Sequence, residues 1–214
     1  MYYDSYAHLY QKVNGFKVQI FKNEKQTIEA YLSLEPSTRS TYDIAMRDAT
    51  INGLLTSDNI DEIKASQIFY KNNNKSELYI IQSVNELEFQ KNTRNIAAIK
   101  QNSFVTIQRK EYNEEKDDEE YVDIYSDVIS FSSLQNKDEK NFVAGVEDNT
   151  NINIQIPKID LKDNSIRIIE NQDRILLSDM TKKLTKRVKL ESIDSFGVPG
   201  VIRIFGTFDT RTGE

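Results

Sequence analysis

Residues 162–193 read K-D-N-S-I-R-I-I-E-N-Q-D-R-I-L-L-S-D-M-T-K-K-L-T-K-R-V-K-L-E-S-I. Ile166, Ile168 and Ile169 make one short run, residues 174–180 a second and residues 187–193 a third. Asn171, Gln172 and Asp173 separate the first two, and Lys182 with Lys183 the next two. Alternating β-branched runs punctuated by Asn and Asp specify an antiparallel meander, because branched side chains pack on a pleated surface and Asn or Asp bends the backbone between strands. A fainter copy of this outline spans residues 64–84 and closes with residues 106–110. Laying 64–68 over 162–166 sets the Asn-rich turn at 72–75 near 171–173, and residues 78–84 over 174–180. The expectation is an all-β chain with one short helix at most, built as two small antiparallel barrel or sandwich modules in tandem.

The remaining strands follow from alternation. Phe16, Val18 and Ile20 share one face of F-K-V-Q-I-F, and Ile28, Ala30, Leu32 and Leu34 share one face of T-I-E-A-Y-L-S-L. Residues 50–55 form a strand in which Gly53 marks a bulge or a close backbone approach. Residues 68–70 and 78–84 form a hairpin around Asn72–Lys75. The spacing of Ile96, Ala97, Ile99 and Lys100 predicts a helix over 92–101, capped by Asn92 or Thr93. Strands are expected over 104–109, 121–131, 142–146, 152–159 and 201–208, with Pro157 ending the 152–159 strand or confining it to an edge.

Residues 111–120, E-Y-N-E-E-K-D-D-E-E, hold Glu111, Glu114, Glu115, Asp117, Asp118, Glu119 and Glu120 against one lysine. Like charges at that density keep a backbone solvated, so the run reads as an acidic linker or loop. It divides the chain into an N-terminal arm (1–15), a first module (16–110), the linker (111–120) and a second module (121–214). It lacks the carboxylate spacing of a calcium loop, so no metal site is assigned.

Chemistry is sparse. The chain has no cysteine and a single histidine, His8, which removes thiolate sites and histidine-based triads or metal centres in a folded cleft. No phosphate-cradling glycine pattern occurs among the seven glycines. No catalytic residue and no cofactor is assigned, and no apolar run approaches the roughly 20 residues of a membrane helix. The net charge of −6 disfavours a dedicated nucleic-acid binder.

Three features point to binding instead. Tyr2, Tyr3, Tyr6 and Tyr10 form a terminal segment that either orders against a partner or packs on its own domain. Lys182, Lys183, Lys186, Arg187 and Lys189 form a basic cluster; with Lys183, Arg187 and Lys189 on one face, Leu184, Val188 and Leu190 would take the other. The cluster reads as a charged edge that blocks aggregation, as a contact for an acidic partner, or as a site for DNA phosphates. Phe196 and Val198 sit in a glycine-bounded turn, either at an interface or tucked under their own sheet. The acidic loop is complementary in sign to the basic cluster, as in a head-to-tail contact between identical subunits.

Leu78-Tyr79-Ile80-Ile81-Gln82-Ser83-Val84, preceded by Ile51-Asn52-Gly53-Leu54-Leu55, resembles the recurrent tyrosine-led strand of the head–tail joining family of tailed bacteriophages, also called head-closure, stopper or neck proteins. The resemblance covers residues 16–110; Asn72–Lys75 replaces the family's Gly-Asp turn, and the second half is an added or duplicated module. It implies a non-enzymatic virion protein made in the host cytoplasm and located at the neck, the head–tail interface. Such a protein forms a homo-oligomeric ring bound to portal and tail proteins, with DNA passing through without sequence-specific binding and no membrane partner. The competing reading is another β-rich binding module, such as a capsid decoration, baseplate, tail-completion or cell-surface protein.

Overall fold

The computed structural model describes residues 15–34, 49–72, 74–88, 90–114, 117–136, 150–158 and 168–209. They form two closed, six-stranded antiparallel barrels in tandem. The first contains β1 (Phe16–Phe21), β2 (Thr27–Leu34), β3 (Thr50–Thr56), β4 (Ile68–Lys71), β5 (Leu78–Leu87) and β6 (Gln90–Lys100). The second contains β7 (Ser103–Asn113), β8 (Asp118–Asn136), β9 (Thr150–Pro157), β10 (Arg174–Asp179), β11 (Thr185–Asp194) and β12 (Val201–Phe208).

Around the first barrel the strands run β1-β2-β3-β6-β5-β4, and β4 closes back onto β1. In the second, β7-β8-β9-β12-β11-β10 repeats that order position for position, and β10 closes onto β7. The expected tandem is therefore present as a repeated topology. The alignment that suggested it was one strand out of step: residues 78–84 lie on the fifth strand of the first barrel, whereas 174–180 cover the fourth strand of the second.

Each barrel is filled by the inward row of its alternating strands. Val18, Ile20, Ile28, Ala30, Leu32, Leu55, Phe69, Tyr79, Ile81 and Ile96 pack in the first, with the Phe69 and Tyr79 rings stacked at 5.1 Å. Val105, Ile107, Val128, Ile152, Ile154, Ile156, Ile175, Val188, Ile202 and Ile204 pack in the second. Gly53 marks a close approach: a Cβ there would lie 2.4 Å from the Ser33 carbonyl oxygen on β2.

Four expectations are corrected. Residues 92–101 are not helical; residues 92–100 belong to β6, which pairs along its length with β3 and β5. Two to three helical turns cannot hold themselves together, whereas Ile96 and Ile99 on a central strand gain cross-strand partners on both sides. The acidic run is not a linker. Residues 111–120 are the tip of the β7–β8 hairpin, in which Glu111 pairs with Glu120 and Tyr112 with Glu119. Residues 104–110, read as the close of the first module, lie on β7, which pairs with β8 and, through Gln108, with β10. The boundary between the two compact units accordingly falls between Gln101 and Asn102, and Phe196–Val201 returns to the first unit. Finally, Ile168 and Ile169 lie outside any strand, so they do not begin a meander; Ile166 lies outside the described residues. The expected strand at 142–146 lies outside the described residues.

Candidate interaction surfaces

β7 and β8 outrun their neighbours. β10 pairs with β7 from Asp179↔Ser103 only as far as Arg174↔Gln108, and β9 pairs with β8 only from Phe131 onward. Beyond those points residues 109–113 and 118–122 pair with each other alone among the described strand pairings, as a two-stranded ribbon projecting from the barrel. Its tip turns at Asp117, whose φ of 53° is tolerated by a short polar side chain that bonds locally.

An isolated ribbon has no core, so polar cross-links hold it. Lys110 pairs with Glu119, and the Tyr112 hydroxyl donates to the Asp117 carboxylate. The Asn113 amide donates to Glu120 Oε2 at 3.0 Å. These contacts raise the Lys110 ammonium and the Tyr112 phenol above their ordinary pKa values, because each keeps its proton against a carboxylate. Glu111 opposite Glu120 works against the pairing, since like charges face each other across the strands. Tyr112, Tyr121 and Val122 remain exposed at 60%, 39% and 43%.

Charge concentrates here. Residues 110–123 carry eight carboxylates and two lysines, a balance of −6 that equals the net charge of the whole chain. The rest of the molecule is neutral in sum. Among the described acidic positions, Glu114, Asp117, Asp118 and Glu119 are exposed and Glu120 is half-buried; Glu115 lies outside the described residues.

At the base of the ribbon, Arg109 is gripped by two carboxylates. Its Nε and Nη2 donate to Asp173 Oδ1 and Oδ2, both at 2.8 Å, and its Nη1 meets Glu170 Oε1 at 2.8 Å. Asp173 is fully buried and also accepts the Glu170 backbone N–H at 2.8 Å. The bidentate carboxylate, foremost, holds the guanidinium proton more tightly than usual. Arg109 and Asp173 stand 64 positions apart, with nothing local to link them.

Of the basic cluster, Lys182 and Lys183 lie in the β10–β11 turn at the other end of the same barrel, Lys186 follows on β11 beside the turn, and Arg187 and Lys189 stand farther along β11, toward the ribbon base. Asp179 builds that turn: its Oδ1 accepts from the backbone N–H of Lys183 at 3.0 Å and of Leu184 at 3.2 Å, and its Oδ2 accepts from the Thr181 hydroxyl at 2.6 Å. These bonds, the Thr181 one foremost, hold the Asp179 carboxyl below the usual aspartate range. Lys182 takes a left-handed conformation (φ 57°), reaches Asp127 Oδ2 at 2.7 Å and lies over the Phe104 ring. Lys186 lies over the Phe208 ring, and Arg187 meets Asp209 Oδ2 at 3.5 Å.

Part of the positive charge is thus matched by the barrel's own carboxylates, whereas Lys183, Lys186 and Lys189 have no ion pair among the described residues. The expected two-faced strand is adjusted as well. Val188 is buried and Leu190 half-buried, but Leu184 lies in the turn and is 66% exposed.

Phe196 and Val198 lie in the segment that returns to the first unit. Gly200 anchors it, donating its N–H to the Gln82 carbonyl at 2.8 Å so closely that a Cβ would fall 2.2 Å from the Ile81 carbonyl oxygen. On this fixed turn the Phe196 side chain is 96% exposed while Val198 is half-buried. Tyr2, Tyr3, Tyr6 and Tyr10 lie outside the described residues.

The structure therefore brings Lys182, Lys183 and Lys186 together near one barrel end and the described acidic residues to the other, while Arg187 and Lys189 lie along β11 between them. Sequence reasoning did not find the Arg109–Asp173–Glu170 clamp; only an arginine and an aspartate bracketing strands that proved adjacent could have suggested it. Among the described residues no group of three or more His, Cys, Asp or Glu side chains is placed to hold a metal ion, and no helix is long and apolar enough to cross a membrane. No protein-family model, curated protein or solved structure matches this chain.

Proposed function

We propose that this protein is a non-enzymatic structural subunit of a tailed-phage virion, of the head–tail joining kind. In this reading it forms a homo-oligomeric ring at the neck, bound to portal and tail proteins, and DNA passes through without sequence-specific contacts. The observation that supports the reading best is the β7–β8 ribbon. A compact barrel gains nothing for its own core by extending two strands into water, but an assembly subunit gains an arm that reaches a neighbour. The charge distribution fits a non-gripping channel, since Lys182 and Arg187 already face Asp127 and Asp209.

Affinity capture of purified portal and tail proteins tests this reading. Full-length protein retains them, and a variant with residues 111–120 replaced by a two-residue Asn-Gly turn loses them while keeping its β-type circular dichroism. Failure of the full-length protein to capture either partner, with particles of the source phage lacking it at the neck by electron microscopy, overturns the reading.

A further inference from the structure

The acidic ribbon and the basic β10–β11 turn lie at opposite ends of β7. Ser103 pairs with Asp179 beside the basic turn, and Asn113 pairs with Asp118 at the ribbon tip. Eleven residues of strand separate them, roughly 35 Å at about 3.4 Å per residue. One barrel therefore cannot close its own ribbon onto its own basic turn. Each end carries charge that the barrel leaves unmatched: Glu111 and Glu114 on the ribbon, Lys183 and Lys186 at the turn, all exposed and without an ion pair among the described residues. Each end also shows apolar surface, Tyr112, Tyr121 and Val122 on the ribbon and Leu184 and Met180 at the turn.

We infer that the occupant of the ribbon is the β10–β11 turn of a second copy of this chain. The two surfaces are different patches at opposite poles, so the contact is heterologous: every copy offers one ribbon and one turn, and copies join head to tail into a ring or an open filament. Unlike charges at the rim steer the encounter, and the exposed tyrosines and Leu184 supply the area that is removed from water. The inference rests on the proposed structural role and names the partner of its arm.

The chain contains no cysteine, so two introduced thiols report the contact without background. Glu114→Cys and Lys183→Cys are placed in one chain, each at an exposed turn position, and concentrated protein is treated with a short bis-maleimide. The expected result is a ladder of covalent multimers that shortens at high salt, where rim charges are screened. Neither single variant should give products beyond a faint dimer. Reversing one end, with Lys183→Glu and Lys186→Glu, abolishes assembly; mixing that protein with Glu111→Lys, Glu114→Lys protein restores multimers in which the two variants alternate, read by sedimentation velocity.

A double-cysteine protein that gives no more than the single variants, or a mixture that stays monomeric, overturns the inference. If portal and tail capture persists in that case, the structural role stands and only the partner assignment falls. If capture fails too, both fall.

Discussion

Asp173 is the residue on which the base of the ribbon depends, and Asp173→Ala tests that dependence. The buried carboxylate accepts three hydrogen bonds at 2.8 Å, two from the Arg109 guanidinium and one from the Glu170 backbone N–H. Truncation removes all three and leaves the Glu170 amide without its acceptor. Breaking a buried pair from one side costs about 3–5 kcal/mol, because the partner charge is stranded. Here the cost is smaller, since Arg109 keeps Glu170 Oε1 at 2.8 Å and its side chain is 27% exposed, within reach of water. We expect a loss of about 2–4 kcal/mol, equivalent to a drop on the order of 10 °C in the melting temperature of a unit this size. Because the chain has two compact units, calorimetry should resolve the effect. The transition of the second barrel moves down and that of the first stays in place. Asp173→Asn, which keeps the shape and one acceptor, should cost roughly half as much. A change below about 0.5 kcal/mol for Asp173→Ala would refute the reasoning, since such a value is typical of surface substitutions.

Three further perturbations have definite outcomes. Gly206→Ala places a Cβ 2.3 Å from the Lys189 carbonyl oxygen and 2.8 Å from Val188 Cγ1, so β12 must move away from β11; a loss of about 1–3 kcal/mol in the second transition is expected by urea titration. Phe69→Ala removes a fully buried ring stacked on Tyr79 and should cost about 3–5 kcal/mol in the first transition, leaving the second unchanged. The Asp179 carboxyl titrates below its ordinary value, so its hold on the β10–β11 turn is complete above about pH 4 and is lost as pH falls through the lowered folded-state value. Amide exchange at Lys183 and Leu184 should therefore accelerate at that lower pH, and in Asp179→Asn the acid-dependent step should vanish.

How much of this was legible in the chain depends on the range of the interaction concerned. Strict alternation marked β1 and β2 to the residue, because Val18, Ile20, Ile28, Ala30 and Leu32 each bury one side of a pleat. The same rule failed at β6. A register shift opposite Ile81 and Ser83 leaves Ile96, Ala98 and Ile99 all buried, and two adjacent buried positions imitate a helical period. The acidic run misled for a different reason. Charge density argues for a solvated backbone, yet a hairpin whose faces are both wet satisfies that demand and its own hydrogen bonds together. The clamp of Arg109 by Asp173 was out of reach, since its partners meet only once β7 and β10 have closed the barrel.

The net charge carried the largest hidden assumption. Averaged over the chain, −6 argues weakly against anionic partners everywhere. Once residues 110–123, in and beside a single ribbon, carry a balance of −6, the average describes no actual surface. A neutral body with an acidic arm repels phosphate only where the arm is, and the arm attracts whatever basic surface can reach it. The nearest candidate in chemistry is also the most abundant in any assembly of identical subunits, the β10–β11 turn with Lys183 and Lys186. Its own acids are already committed, Asp179 to the turn's N–H groups and Asp127 to Lys182. The residues that hold each pole in shape are thus distinct from the residues left to meet a neighbour. Substitutions at Asp173 and Asp179 should therefore move stability, while those at Glu114 and Lys183 should move assembly alone.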